Sequence, residues 1–489
     1  MTVAKQQSEH QLPLYLAMLP FAIMLIFFIC GSIFIQTGNN VVVVSLLAAA
    51  VVATLLALKQ GQSWDQVQSS AAHKLASLFP ALLILLAIGA LIGSWVLSGT
   101  IPYFVAIGLR LIDPETFVLT AFLSTAIMSL MTGTSWGSIG TLGVAMMGMA
   151  PGLEASPAMV AGAVVSGAYF GDKMSPLSDT TNVAALAAGV NLYTHIRHML
   201  YTAVPAFLLA AIVFFIAGSS GVSSSSSELP LGAVRMLRDI DMAYVLNWWT
   251  LIPPFIVLAS IAAKLPPVLG IAASSLSALV IGVSVQDFSI SSAIDAAMNG
   301  FNSSMFNPSG VEISSFSEPF LTLINRGGVY VMVDTLVVIV AAILLTGAME
   351  VSGALNVIIT RLLRFATSVF GLIAATMSSG LLMISLSSHG SVTALIVGNL
   401  FQGAYKDRKL APENLSRSLE DSVTLMDPIL PWTVSGVFIA TTLGVATLDY
   451  APWAIFCLGG PLFSLFYAFS YPYLHFGIKP LLNKDNTIN

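Results

Sequence analysis

Apolar runs close to the ~20 residues that a helix needs to cross a bilayer recur along this chain of 489 residues. They fall at about 14–35, 40–58, 79–97, 117–131, 199–217, 247–263, 268–285, 329–349 and 451–470, with shorter or interrupted runs between. Inside a bilayer no water satisfies the backbone, so each run must close its hydrogen bonds within itself, as a helix. Composition agrees: 56% of residues are hydrophobic and 8% charged, and the mean hydropathy is +0.89, against roughly 25% charged residues in a soluble chain. The expected fold is an all-α polytopic membrane protein of ten to twelve spans, with membrane lipid as its surroundings. The first run is too long for a signal peptide and ends without a small-residue cleavage site, so it is expected to be retained. A net charge of −5 argues against a nucleic-acid partner. Cys30 and Cys457 stand in apolar stretches without metal spacing and are expected to pack.

The chain also repeats itself. Ser98-Gly99 returns as Ser352-Gly353, Ser135-Trp136-Gly137-Ser138 as Ser388-His389-Gly390-Ser391, and Ser175-Pro176-Leu177 as Asp427-Pro428-Ile429, at offsets of 254, 253 and 252. Interruptions at matching positions of two halves point to a binding site where the halves meet.

Loop charge suggests how the halves are related. The stretch 59–79 carries Lys59 and Lys74, whereas 36–40 carries no charge, which puts the amino terminus in the cytoplasm. The pattern flips in the second half: 286–328 has only Arg326, 350–366 has Arg361 and Arg364 against the single Arg110 of its counterpart, and 403–410 has Lys406, Arg408 and Lys409 where 151–157 has none. Inverted repeats with both termini cytoplasmic follow. The expected organisation is a tail over 1–12, a first repeat over 13–217, a Ser-rich linker over 218–245, a second repeat over 246–478 and a tail over 479–489. The polar stretch 287–328 is expected to be an external loop or lid.

Polar groups at membrane depth are costly and persist mainly for function. The first set is Thr132 to Gly143, where Thr134, Ser135, Ser138 and Thr141 stand among glycines such as Gly137. A re-entrant tip or unwound segment is expected there, and a glycine-rich packing seam is the alternative. Its partner is Ser387-Ser388-His389-Gly390-Ser391-Val392-Thr393, broken at Gly390. The second set is Gly171-Asp172-Lys173-Met174-Ser175-Pro176-Leu177-Ser178-Asp179-Thr180-Thr181-Asn182. Pro176 cannot donate to the carbonyl of Asp172, which leaves a carboxylate and a free carbonyl oxygen together. Asp179, Ser175, Ser178, Thr180, Thr181 and Asn182 complete an all-oxygen set of the kind hard cations prefer. The partner runs from Glu420-Asp421 through Thr424 to Asp427-Pro428-Ile429-Leu430-Pro431-Trp432-Thr433, where Pro428 and Pro431 repeat the device. The alternative for both segments is an N-capped loop leading into a helix. A sodium ion and a proton competing for Asp172, Asp179, Glu420, Asp421 or Asp427 would couple two fluxes at one site. No cofactor is expected beyond these transported ions.

Gly171 to Asn182, the run Leu415 to Asp421 followed by Pro431-Trp432, and the tip Thr134 to Thr141 resemble the sodium/proton antiporter NhaC family over roughly residues 12–475. The resemblance implies a secondary carrier of the bacterial inner membrane, working by alternating access as an elevator, and, by analogy with such carriers, a homodimer. It leaves two cargoes open: sodium against protons, or a small organic anion, as in malate/lactate exchange, or an amino acid with coupled ions. Two positions depart from the family pattern. His389 stands where a small or acidic residue is expected, and Asp427 where Ser or Thr is expected; His389 is a candidate pH-responsive group or ligand for a substrate carboxylate.

Other features point to structure. Thr194-His195-Ile196-Arg197-His198 precedes a long apolar run and is expected to anchor at the interface; Glu350 is expected at the surface. Gly133-Thr134-Ser135-Trp136-Gly137 matches the letters of a hydrolase nucleophile elbow but lies between apolar runs rather than at a strand-to-helix turn, so no enzyme is expected. A channel is disfavoured because paired acidic helix breaks in a duplicated chain suit alternating access better.

Overall fold

The computed structural model describes residues 12–34, 39–219, 229–309, 315–387 and 390–481. The outer parts of both expected tails, linker residues 220–228, and Ser388 and His389 of the second tip lie outside the described residues. Helices make the whole architecture; the one β contact is an isolated bridge between Leu410 and Pro480 among the described residues.

In chain order the helices are α1 (Leu14–Phe34), α2 (Asn39–Lys59), α3 (Trp64–Leu97), α4 (Thr100–Leu111), α5 (Phe117–Thr132), α6 (Ser135–Ser138), α7 (Val144–Met149), α8 (Pro157–Met174), α9 (Asp179–Ala188) and α10 (Leu192–Ser219). There follow α11 (Leu231–Ala243), α12 (Ile252–Ala262), α13 (Pro267–Ser284), α14 (Ile290–Met298), α15 (Glu318–Ile324), α16 (Val333–Val351) and α17 (Ala354–Leu363). The last are α18 (Val369–Ser387), α19 (Gly390–Asp407), α20 (Pro412–Leu419), α21 (Val434–Leu443), α22 (Thr447–Tyr450) and α23 (Ile455–Leu474). Among the described residues nine helices are long and apolar enough to cross a membrane, or eleven if each of two bent pairs forms one span. The chain is a multi-pass membrane protein.

The two halves share a succession of elements. In each, a long helix ends on a serine and turns through a left-handed glycine, Gly99 (φ 78°) after α3 and Gly353 (φ 68°) after α16, into a short amphipathic helix, α4 or α17. A hairpin of helices follows, then a helix broken at proline, then a long closing helix, α10 or α23.

Three expectations change in detail. Residues 59–79 are a loop only as far as Ser63, which caps α3 by accepting from the Gln66 amide at 3.2 Å while its own amide donates to the Gln66 side chain at 2.7 Å. Lys74 therefore sits on a helix of 34 residues, where it pairs with Glu350 Oε2 at 2.7 Å. The span 218–245 holds α11, which with residues 248–262 forms a pair bent by 106°. The polar stretch 287–328, of which 310–314 lie outside the described residues, is not a bare loop. It folds into α14 and α15 around Phe288, Phe301, Phe306, Phe316 and Phe320, and the Gly328 amide donates to the Gly89 carbonyl of α3 at 2.7 Å.

Small residues set the closest packing near the site. A side chain on Gly167 or Gly171 of α8 would collide with the backbone of α5 at Phe122 and Leu130. This close approach fixes the helix that ends in Asp172.

Candidate cation and proton site

Each half builds its share of the site from a hairpin tip and a broken helix. In the first half α5 stops at Gly133 (φ 69°), and Thr134 caps the next turn by accepting from the Gly137 amide at 3.3 Å. The chain then coils at once through α6 and a π turn, Ile139–Gly143, into α7. The tip is thus a sharp break, and the unwinding expected over Thr132 to Gly143 is confined to Gly133-Thr134. Ser138 and Thr141 turn back on their own helix, donating to the Thr134 carbonyl at 2.9 Å and the Gly137 carbonyl at 2.6 Å. Ser135 instead reaches across to the broken helix.

It reaches Asp172. Ser135 Oγ donates to Asp172 Oδ2 at 2.7 Å, and Ser178 Oγ donates to Oδ1 at 2.6 Å, with Thr180 Oγ1 2.9 Å from Ser178. The break between α8 and α9 falls at Pro176, as expected. The carbonyl it frees is not open, however: Thr181 Oγ1 lies 3.1 Å from the Asp172 oxygen and 2.9 Å from that of Lys173 and donates to them. Ser175 is buried and accepts from the Leu177 amide at 3.3 Å. Asp179 and Asn182 are exposed: Asp179 is in the first turn of α9, and Asn182 ties back to the carbonyls of Pro176 (3.0 Å) and Ser178 (2.6 Å). These two do not join the buried group.

The second half repeats the device with a difference. After α20 the chain passes through a π turn, Glu420–Thr424, a short tight turn at Asp427–Ile429, and Pro431 before α21 begins, a bend of 44°. Thr433 caps α21 and donates to the Asp427 carbonyl at 2.6 Å, taking the oxygen freed by Pro431 as Thr181 takes that of Asp172. Asp427 Oδ2 accepts from Ser435 at 2.5 Å. Trp136 of the first tip donates from Nε1 to Ser435 Oγ at 3.3 Å and stacks on Phe438, ring centres 4.4 Å apart, so the first tip lies against the second break. In the second tip Thr393 is buried with its hydroxyl 2.5 Å from that of Ser387, and Ser391 is half-buried at the start of α19. Gly390 opens α19 and faces Val423 of the π turn. Thr424 is buried beside Glu420, whereas Trp432 packs edge-on against Phe28 of α1 at 5.2 Å.

The breaks are joined by a fully buried ion pair between Lys173 Nζ and Asp421 Oδ1, to which Thr202 of α10 adds a hydrogen bond at 3.3 Å. Gly460 of α23 makes room for that carboxylate. Arg417, one turn before Asp421, is also fully buried; its Nη1 donates to the Gly477 carbonyl at 2.5 Å.

Charge does not balance in this cluster. Asp172, Glu420, Asp421 and Asp427 are buried acids; Lys173 and Arg417 are the buried bases beside them. Both carboxylate oxygens of Glu420, Oδ2 of Asp421 and Oδ1 of Asp427 have no hydrogen-bond partner among the described residues. Glu420 has Lys173, Asp172 and Asp421 as its charged neighbours. A buried carboxylate in this condition needs a proton or a cation to offset its desolvation. Among the described residues no three acidic, histidine or cysteine side chains converge as a metal-binding group, so a proton or cation would be met at individual carboxyls.

A family profile described as Na+/H+ antiporter family matches residues 167–470, which contain both helix breaks and the second tip. The chain belongs to the sodium/proton antiporter NhaC family. Relatives of this antiporter include an uncharacterized Na(+)/H(+) antiporter of Haemophilus influenzae, 44% identical over 87% of the chain and 90% of the relative. The Na(+)/H(+) antiporter NhaC of Alkalihalophilus pseudofirmus is 34% identical over 87% and 89%. The malate-2H(+)/Na(+)-lactate antiporter of Bacillus subtilis is 34% identical over 82% and 83%.

Several residues of the antiporter's cluster carried weak sequence signals. Arg417 stands one helical turn from Asp421, a spacing that places both on one face. Ser435 lies between a capping threonine, Thr433, and Gly436, as Ser135 lies between Thr134 and Gly137, and both serines bind an aspartate. His195 and His198 are a correction: both are buried, with His198 Nε2 3.2 Å from Asn414 Oδ1, and neither is an interfacial anchor.

Proposed function

We propose that this antiporter exchanges sodium for protons across the bacterial inner membrane by alternating access. The observation that carries the reading is the excess of buried acid, with unpartnered oxygens on Glu420, Asp421 and Asp427. A sodium ion would take these oxygens, and protons would take their place when it leaves; one set of carboxylates serving both ions couples the two fluxes. Asp172, held by Ser135 and Ser178, adds a further buried carboxyl to the same cluster.

In this reading the two halves are inverted repeats, and their tip-and-break units move together as an elevator against the flanking spans. The face with the exposed Lys406, Arg408 and Lys409 is cytoplasmic, and two copies form the working dimer.

A second reading rests on Arg417, whose Nε and Nη2 have no partner among the described residues. That edge of a guanidinium matches a carboxylate, and one relative is named for malate and lactate. The coupled cargo would then be a small organic anion. Internal pH in proteoliposomes, followed after sodium is added with and without organic acids, separates the two. Proton flux with sodium alone supports cation exchange; flux only when one organic acid is present overturns it in favour of the second reading.

A further inference from the structure

The long helix α10 turns one face toward the site. His195, His198 and Thr202 stand at i, i+3 and i+7, so they are neighbours along one stripe. Thr202 ends the stripe at Asp421, 3.3 Å away, and His198 meets Asn414 of α20 at 3.2 Å. His195 is fully buried, and neither of its ring nitrogens has a hydrogen-bond partner among the described residues. Two buried imidazoles, one of them unsatisfied, are costly without a use.

His198, the middle of the stripe, lies beneath the returning chain, whereas His195 has Lys173 of the ion pair as its charged neighbour. The chain beyond α23 folds back along the start of α20: the Ala411 amide donates to the Lys479 carbonyl at 2.9 Å, and the Leu481 amide to that of Lys409 at 2.7 Å. The Lys479 amide donates to Asn414 Oδ1 at 3.0 Å, the oxygen that also meets His198, and the half-exposed Lys479 ammonium pairs with Glu413 at 2.6 Å. His198 packs edge-on against Tyr201, whose ring is 39% exposed. The charged neighbours of the two rings are Lys173 from α8, Arg417 from α20 and Lys479 from the returning chain, with Glu413 beside Lys479. An imidazole can take a proton on one nitrogen and release one from the other, the property a relay needs.

We propose that His195 and His198 are the proton relay between the basic face of the molecule and the Lys173–Asp421 pair. A proton enters His198 from the side of Tyr201 and Lys479 and passes to His195. It leaves from the opposite ring nitrogen for the acid cluster, where it replaces a departing sodium ion, so that one charge enters as one leaves. Running backwards, the same steps release it. The relay rests on the sodium/proton reading, and the test separates the two.

Proteoliposomes of the full chain are compared as wild type, His195→Gln, His198→Gln and the double variant. One assay follows sodium-driven proton flux. The other follows exchange of tracer sodium for unlabelled sodium, which needs no proton. The relay predicts that proton flux falls by about tenfold or more and that tracer exchange keeps the wild-type rate. Added imidazole should restore proton flux in His195→Ala, again without changing tracer exchange. Proton flux that is unchanged, or that falls in proportion to tracer exchange, overturns the relay. Wild-type protein that exchanges tracer sodium but moves no protons on addition of sodium overturns the exchange reading, and the relay with it.

Discussion

The two helix breaks use the same parts and leave their carboxylates in opposite conditions. At the first, Asp172 has one hydroxyl on each oxygen, from Ser135 and Ser178. At the second, Asp427 has a hydroxyl on one oxygen only, Asp421 has one oxygen in the ion pair and one without a partner, and Glu420 has neither oxygen satisfied. A saturated carboxylate is held in place, and an unsaturated one is free to accept a new partner. In the exchange proposed above, the first break would be the fixed side of the site and the second the side that exchanges ions.

Substitutions can break or sharpen that contrast. The largest effect is expected from Asp421→Asn, which strands the Lys173 ammonium in the interior. Unfolding in detergent should be easier by about 3–5 kcal/mol, with coupled transport lost, and Lys173→Met in the same chain should return most of the stability but none of the transport. Asp172→Asn weakens two hydrogen bonds to a charged acceptor and should cost about 1.5–3 kcal/mol, again with loss of coupled transport and with membrane insertion intact. Wild-type exchange from a well-folded Asp172→Asn protein would remove that residue from the mechanism. Glu420→Gln replaces a buried carboxyl whose oxygens have no hydrogen-bond partner among the described residues. Its stability should change by less than about 1 kcal/mol, while sodium-driven proton flux is abolished, a separation of stability from transport that the first break cannot show. Asp179→Asn should shift stability by no more than about 0.5 kcal/mol and leave flux near the wild-type rate, because Asp179 is exposed at the start of α9. A flux loss there equal to that of Asp172→Asn would bring Asp179 into the site.

Local chemistry explains why part of the site was legible in the sequence. Pro176, Pro428 and Pro431 cannot donate a helical hydrogen bond, and Gly133 adopts a left-handed turn, so the breaks and the first tip stand where those residues stand. The paired glycine turns at Gly99 and Gly353 follow for the same reason. The occupants of the freed carbonyls were not legible: Thr181 and Thr433 claim them only because each chain folds back after its proline. The pairing of Lys173 with Asp421 spans 248 positions, and no local pattern encodes it. His195 and His198 sit beside a polar turn and so look interfacial in sequence, yet the returning segment that ends at Leu481 and the start of α20 lie against that end of α10. In 287–328 polar residues dominate the composition, but five phenylalanines supply a small core that holds two short helices.

The account rests on sodium and protons competing for the unsatisfied oxygens of the second break. The direct measurement is proton release when sodium chloride is added to purified, weakly buffered protein, with choline chloride as the control, in wild type, Glu420→Gln and Asp179→Asn. The account predicts release from wild type and Asp179→Asn that saturates with sodium, and its loss from folded Glu420→Gln. Sodium binding without proton release from wild type, or undiminished release from Glu420→Gln, would contradict it.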